Sequence, residues 1–322
     1  MGNSDFLQTK RMFMNSWDYQ KRLFYLDYWK RKGLFVREKL FDLIKRKKFR
    51  KWALTPEAEA RVRKAIDICV SEQRPLNFVF EFGGYKLWRL PSAPYADDAE
   101  TFMLKYYLDY LRPIAEQYKI GVNMYFASDD YVVERMNNIR ADAMEKYADS
   151  FCKKLKAIKS FFPENLKMSY VRLAELYSDQ KELEAELSEK FNEHTERYKE
   201  WTDDKKEKML KRAKLNFCIS GPLAAKNLSS ISAEDYARRL KDGAVYHDAF
   251  EDCSRRREFV LAQDKILLFC TPIHQAVAIG TTKASVTKFW TGVGIFENGL
   301  EKVLSPSQWQ ERVNAEDSFN GK

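Results

Sequence analysis

Apolar strands and amphipathic helices alternate along residues 56–175, and this alternation restricts the possible folds more than any other feature of the chain. The strands are mostly continuous apolar runs, which are typical of a parallel sheet covered by helices on both faces. We therefore predict an α/β protein with a Rossmann-like, mostly parallel sheet and helices on both faces. The predicted helices are 56–73, 97–118 and 140–161, and the predicted strands are 76–82, 121–127 and 166–173.

Residues 178–214 are highly charged and interrupt this alternation. The segment predicts one or two surface helices, with His194 exposed on them, because its many charged residues leave little apolar surface to bury. We interpret it as an insertion in an α/β catalytic domain that spans residues 55–322. A basic, aromatic-rich helical arm at residues 1–54 precedes that domain.

The last third of the chain returns to a compact pattern. Ser232 and Asp235 have the spacing of a capping box at the start of a helix, and Gly243 is predicted to end that helix. Residues 264–299 predict two or three strands, with a turn at Asn298-Gly299.

The N-terminal arm holds the excess positive charge. Residues 1–51 contain 15 Lys or Arg and 5 Asp or Glu, a net charge of +10, whereas the whole chain carries +9. Three interpretations are open for residues 1–52. They are the solvated basic face of a helix that packs on the body, a surface for nucleic acid, or an attachment to an anionic membrane.

Composition excludes several classes of protein. No run of about 18 apolar residues predicts a transmembrane helix, and the N-terminus lacks the apolar core of a signal peptide. The 5 cysteines are widely scattered without a Cys-x-x-Cys pair, and the chain has only 3 histidines. These features predict reduced thiols in a cytoplasmic protein that uses no metal and no other cofactor.

Two clusters of candidate site residues follow predicted strands, at the edge of the sheet where doubly wound proteins bind ligands. The first is Gly83-Gly84-Tyr85-Lys86, in which glycines allow close backbone approach and a lysine can hold an anion or act as an amine nucleophile. The second is Ser128-Asp129-Asp130, in which one carboxylate can serve as a base or bind an ammonium group. A plain turn and a helix cap are the competing interpretations.

A third cluster combines His274 with basic residues. His274 lies in an apolar segment, where a histidine is also compatible with a purely structural role in the core. Arg255, Arg256 and Arg257 are consecutive and cannot all point one way, so one or two of them are candidates for binding a phosphate or carboxylate. Lys265 is a further candidate for the same role.

The order of these motifs resembles that of the isocyanide synthase family, which includes the fungal spore-wall dityrosine enzyme. The resemblance spans about residues 76–300. It departs from the family pattern at Asp130 in place of glycine, Thr291 in place of histidine and Gln275 in place of proline. The similar stretches are FGGYK at 82–86, LPSAPYADDAE at 90–100, YKIGV at 118–122, ASDD at 127–130, KILLFCTPIH at 265–274 and FWTGVGIFENG at 289–299.

The resemblance implies an enzyme that joins the α-nitrogen of an amino acid to a carbon taken from a pentulose phosphate. It implies that Lys86 meets the sugar carbonyl or phosphate, that Asp129 handles the amine or a proton, and that His274 is an acid or base. The substrates would be an amino acid and a phosphorylated sugar, without a metal. The implied substrate-binding residues are Gly83, Gly84, Tyr85, Ser128, Asp130, Arg255, Arg256, Lys265 and Trp290.

Two alternatives stay open at this point. The basic arm is also compatible with a protein that binds nucleic acid or aminoacyl-tRNA, whose affinity would fall steeply with salt. A non-catalytic binding module on the same α/β body is the other. Convergence of Lys86, Asp129 and His274 in one pocket would favour chemistry, whereas a continuous basic stripe would favour nucleic acid.

Overall fold

The computed structural model describes residues 36–82, 86–87, 90, 95–131, 134, 139–217, 232–270, 275–280 and 286–320. Within these residues the helices are α1 (Val36–Ile44), α2 (Pro56–Ser71), α3 (Asp98–Gln117), α4 (Ala141–Ile158), α5 (Gln180–Arg197), α6 (Asp203–Phe217), α7 (Ala233–Glu251), α8 (Ser254–Val260), α9 (Lys288–Thr291) and α10 (Pro306–Asn320). The strands are β1 (Leu76–Glu81), β2 (Val122–Ser128), β3 (Leu166–Arg172), β4 (Lys265–Phe269), β5 (Val277–Ala278), β6 (Val293–Glu297) and β7 (Leu300–Leu304).

Five of these strands form one parallel sheet in the order β3-β2-β1-β4-β5. The chain builds outwards from β1 to β3 and then returns to the other side of β1, so the direction of winding reverses between β1 and β4. Ligands of doubly wound proteins bind at the carboxyl ends of the strands beside such a reversal. The predicted α/β fold with a mostly parallel sheet is therefore confirmed.

Helix starts follow the capping chemistry in the sequence. Thr55 accepts a hydrogen bond from the backbone of Ala58 at the start of α2, and Pro56 occupies the first turn. Asp97 and Glu100 form a complete capping box at the start of α3. Because each cap satisfies backbone N–H groups that have no partner inside the helix, it fixes where the helix begins.

The two faces of the sheet pack against different helices. Phe80 and Phe126 lie in the larger core, with α1, α2, α3 and α4. Val79 and Ala127 lie in a second core, with α5, α7 and α8. Successive side chains of a strand point to opposite faces of the sheet. Each strand residue near the carboxyl edge can therefore be placed on the side of one of these two cores.

The described part of the basic arm belongs to the larger core. Leu40, Phe41 and Ile44 of α1 are almost fully buried there. Arg46 is also buried, and it donates hydrogen bonds to the carbonyl oxygens of Leu43 and Tyr110. Residues 36–50 therefore pack against the α/β body, and the predicted arm stays a prediction for residues 1–35, which lie outside the described residues.

Helix α7 runs through the glycine that was predicted to end it. Gly243 is buried inside α7, which continues to Glu251, so the predicted glycine stop was wrong. The residues that follow it, among them Ala244, Ala249 and Phe250, bury an apolar face in the second core. Packing of that face outweighs the low helix propensity of one glycine, which is worth about 1 kcal/mol.

The charged insertion forms two helices, α5 and α6, as predicted, but the prediction that His194 is exposed was wrong. Only 8% of His194 is exposed. Its Nδ1 atom lies 3.4 Å from Asp248 Oδ2, and its Nε2 atom lies 3.3 Å from Asp252 Oδ2. The histidine thus joins α5 to α7. No helix in the described ranges is both long and apolar enough to span a membrane.

Strands β6 and β7 form an antiparallel hairpin whose turn was predicted from Asn298-Gly299. Both turn residues have positive φ, 52° and 77°. At the other end of the hairpin, the Gly294 backbone N–H donates to Asp97 Oδ1 at 3.0 Å. A Cβ atom on Gly294 would lie 2.0 Å from the backbone nitrogen of Ala99, so the hairpin docks on the start of α3 only with glycine there.

This docking predicts a difference between two glycine substitutions. Gly294→Ala should lower the free energy of unfolding by about 3 kcal/mol, because it forces backbone against backbone. Gly299→Ala meets no atom within 4 Å and should cost only about 1 kcal/mol, from its positive φ. Urea unfolding of both variants measures the difference, and equal losses would contradict the close docking of the hairpin.

Candidate active site

Lys86 follows β1 and lies at the centre of a buried ion cluster. Its side chain is fully buried, with Nζ 2.6 Å from Glu100 Oε2 and 2.8 Å from Asp97 Oδ2. The Tyr147 hydroxyl of α4 donates to Glu100 Oε1 at 3.0 Å. The cluster therefore joins the segment after β1 to the start of α3 and to the middle of α4. It lies on the face of the sheet that packs in the larger core.

The capping box of α3 positions the two carboxylates of this cluster. Asp97 Oδ1 accepts from the Ala99 and Gly294 backbone N–H groups, which leaves Oδ2 for Lys86. Glu100 Oε2 accepts from the Asp97 backbone N–H at 2.8 Å and from Lys86. The same two side chains thus cap the helix and bind the lysine.

Glu100 is poised to change its charge near neutral pH. Burial raises the pKa of its carboxyl group to about 7, and the nearby Asp97 adds to the rise, while Lys86 opposes it. Buried charges are tolerated when they are paired and hydrogen-bonded, as here. Protonation of Glu100 would leave Lys86 and Asp97 as a neutral pair.

Asp129 follows β2 and lies in a second polar cluster. Its Oδ1 atom is buried and has no hydrogen-bond partner within the described part of the chain. Burial raises the pKa of the Asp129 carboxyl group to about 7; Glu81 and Asp130 add to the rise and Arg256 opposes it. A carboxyl group that titrates near neutral pH can both accept and deliver a proton.

Glu81 and Arg256 complete this second cluster. Arg256 of α8 donates from Nε and Nη2 to Glu81 Oε1 at 2.8 and 2.5 Å, and from Nη1 to the Glu251 carbonyl at 2.7 Å. Glu81 follows Val79 by two residues and Asp129 follows Ala127 by two, so both continue the sheet face that packs on α7 and α8. The two clusters therefore flank the carboxyl edge of the sheet on opposite faces.

Tyr170 of β3 lies between the two clusters. Its pKa is raised by burial, and it interacts electrostatically with Asp130 and Asp129 on one side and with Tyr147 on the other. Its ring lies 5.4 Å from that of Phe151. Tyr170 thus lies near members of both clusters.

Asp130 and Ser128 are both buried at the same edge of the sheet. Asp130 is fully buried, forms an ion pair with Arg172 and accepts from the Tyr131 backbone N–H at 3.0 Å. Ser128 is also fully buried. Of the two adjacent acids in the predicted cluster, Asp130 is neutralised by an arginine and Asp129 is not.

The structure does not bring Lys265 and Arg255 to this edge. Lys265 is the first residue of β4 and aligns with Asn77 near the start of β1, at the opposite edge of the parallel sheet. Its Nζ donates to the Phe259 carbonyl at 2.5 Å. Arg255 is half exposed and pairs with Glu258 at 3.1 Å on the surface of α8.

Several predicted site residues lie outside the described residues. These are Gly83, Gly84, Tyr85 and His274, while Trp290 is described in its backbone but not in its side chain. Their predicted roles stay predictions. In the described part of the chain, no group of three or more His, Cys, Asp or Glu side chains could hold a metal ion.

Sequence reasoning missed four members of the two clusters: Glu81, Asp97, Glu100 and Tyr147. A signal existed for Glu81, because it is a lone acid near the end of the apolar strand NFVFEF. Asp97 was predicted only as the start of a helix, and Glu100 was not singled out. Tyr147 carried no signal, since a tyrosine on an amphipathic helix is typical of a core.

Comparison with known proteins gives a likeness in fold. No protein-family model matches the sequence, and no curated protein sequence matches it. Among solved structures, the crystal structure of the PvcA protein from Pseudomonas aeruginosa has a similar fold, with a TM-score of 0.60 and 13% sequence identity. The alignment covers 86% of this chain and 94% of PvcA, so nearly the whole of that fold is shared.

The surroundings of Asp129 predict a stability change that depends on pH. The folded state holds the Asp129 proton more tightly than the unfolded chain, so this group favours folding at acidic pH and its contribution is lost as the pH rises through about 7. Asp129→Asn should therefore stabilise the protein at pH 8, and this gain should shrink by about 2 kcal/mol at pH 5.

Chemical unfolding at both pH values measures this change. Asp149→Asn, at an exposed aspartate on α4, is the matched control and should alter stability little at either pH. A stability difference between Asp129→Asn and the native protein that is the same at pH 5 and pH 8 would contradict the raised pKa.

Proposed function

We propose that the chain is an isocyanide synthase-like biosynthetic enzyme that joins the amine of an amino acid to a carbon from a pentulose phosphate. The observation that carries the proposal is the fold shared with PvcA, an isocyanide synthase-like protein, over 86% of this chain. The motifs that resemble that family lie along the same part of the chain. The charged clusters at the carboxyl edge of the sheet supply chemistry that such a reaction needs.

Carbon–nitrogen bond formation with a keto sugar requires two proton movements. The ammonium group of the amino acid must lose a proton before its nitrogen can attack, and the carbonyl oxygen must gain one and leave as water. The two carbon–carbon bonds of that carbon must then break, so that it stays on the nitrogen as the isocyanide carbon and the rest of the sugar is released with its phosphate. The pKa of Asp129, about 7, matches the first of these tasks near neutral pH. We assign Asp129 as the group that takes the proton, and His274 as a second acid or base.

Lys86 is assigned to the phosphorylated sugar. An ammonium group has three N–H donors, and Asp97 and Glu100 take two of them. The third is assigned to the carbonyl or phosphate oxygen of the sugar. Gly83 and Gly84 would let the backbone approach that ligand.

The alternative of nucleic-acid binding through the arm keeps Lys47, Lys48 and Lys51 as exposed candidates within residues 36–51, whereas the arginines there bind within the protein. Arg46 and Arg50 donate to backbone carbonyl oxygens inside the protein, and Arg37 pairs with Asp67. These basic side chains serve internal contacts. An anionic partner for residues 1–35 stays a prediction.

Isotope labelling tests the proposed reaction. The purified protein is incubated with ¹³C-labelled pentulose phosphates and each ¹⁵N-labelled amino acid, and products are followed by mass spectrometry. We expect a product that carries one ¹⁵N from the amino acid together with a sugar carbon, and whose infrared spectrum has an isocyanide band. Absence of a product with every pair of substrates would overturn the proposal.

The variant for this assay is Asp129→Asn rather than a Lys86 substitution. Removal of Lys86 would leave the buried Glu100 carboxylate without its cation, a change that typically costs about 3–5 kcal/mol of stability. Asp129→Asn keeps the shape of the side chain and should lower the rate of product formation by about 10²-fold or more. Asp149→Asn is the control, and equal rates for both variants would remove Asp129 from the mechanism.

A further inference from the structure

Three charged side chains from three separate elements meet on the α8 side of the carboxyl edge. They are Glu81 of β1, Asp129 after β2 and Arg256 of α8. Glu81 and Arg256 are largely buried, with 19% and 8% of their side chains exposed. Arg256 also donates to the carbonyl of Glu251, the last residue of α7, so its guanidinium group links β1, α7 and α8.

The hydrogen bonds within the cluster leave capacity for a ligand. Both contacts from Arg256 fall on Glu81 Oε1, so Oε2 is not used by the pair. A guanidinium group has five N–H donors, and the described contacts of Arg256 use three of them. Asp129 Oδ1 is buried without a partner, and a buried acceptor left unpaired costs about 1–3 kcal/mol.

The charges of the cluster favour a ligand that carries both signs. Glu81 and Arg256 neutralise each other, and an ionised Asp129 leaves a net charge of −1 in a largely buried place. A ligand ammonium would offset that charge, and a ligand carboxylate could use the unused guanidinium N–H groups. A zwitterionic α-amino acid has these two groups on one carbon atom.

We propose that Glu81, Asp129 and Arg256 form the subsite for an α-amino acid, with its ammonium group against Asp129 and Glu81 and its carboxylate against Arg256. The inference rests on the proposed function, since it gives one of the two substrates a place. Glu81 becomes a binding residue that the motifs did not indicate. The sugar phosphate then belongs to the other face of the edge, near Lys86.

Binding at this subsite is coupled to a proton. The charged or titratable groups that act on Asp129 are Glu81 of β1, Asp130 next to it in the chain, Tyr170 of β3 and Arg256 of α8. Because the pKa of Asp129 is about 7 in the empty site, the carboxyl group is largely protonated at pH 6. An ammonium group displaces that proton, so binding releases up to about one proton at pH 6 and almost none at pH 8.

Isothermal titration calorimetry of the full-length protein tests the subsite. Each of the proteinogenic L-amino acids is titrated at pH 6 in two buffers that differ in ionisation enthalpy, and the proton release follows from the difference. We expect at least one amino acid to bind with proton release at pH 6, and with about fivefold higher affinity at pH 7. Its N-acetyl and methyl-ester analogues should bind at least tenfold more weakly, because each lacks one of the two charges.

Variants extend the same titration. Glu81→Gln and Arg256→Lys should each weaken binding of that amino acid about tenfold or more, as expected for loss of a charge-assisted contact. Glu258→Gln and Arg238→Lys change exposed residues of α8 and α7 and should leave binding unchanged. The analogue series uses the native protein, so the test stands even if Arg256→Lys does not fold.

The outcomes separate this inference from the proposed function. Failure of every amino acid to bind, or equal binding of the analogues and the parent amino acid, would overturn the subsite. If the labelled product forms and the KM of the enzyme for the amino acid is the same in Glu81→Gln as in the native protein, the proposed function is supported and the subsite is overturned. Proton-linked binding without any isocyanide product would support the subsite and overturn the proposed function.

Discussion

The buried ion cluster of Lys86, Asp97 and Glu100 is the interaction on which the rest of the carboxyl edge depends. It joins the segment after β1 to α3, reaches α4 through Tyr147, and shares Asp97 with the hairpin at Gly294. Because a buried charge without its partner is strongly unfavourable, these elements must assemble together. The cluster therefore fixes one wall of the candidate site before any ligand arrives.

The opposite wall is built differently. On the α8 side, Arg256 neutralises Glu81 but leaves Asp129 with an unpaired oxygen and a pKa near 7. One wall is thus held together by paired charges, with one N–H donor of Lys86 left for a ligand, and the other wall holds an unpaired carboxylate oxygen. Tyr170 lies between them. Two substrates that must meet, one phosphorylated and one zwitterionic, could each use one wall.

Local sequence patterns predicted the fold well, and they predicted the site only in part. The strand that ends at Glu81 and the helix start at Asp97 could be predicted because both depend on residues that are close together in the sequence. Gly243 and His194 were misjudged because their burial depends on helices that are distant in the sequence and pack against α7. Glu81 could not be assigned in advance, since its role depends on Arg256, 175 residues further along the chain.

A crystal structure of the protein with a pentulose phosphate and a binding amino acid tests the central claim most directly. That claim places the reaction at the carboxyl edge of the sheet, between the Lys86 cluster and the Asp129 cluster. The account predicts that the sugar phosphate lies beside Lys86 and the amino acid beside Asp129, with the amine facing the sugar. Both ligands bound elsewhere on the protein, away from β1 and β2, would contradict it.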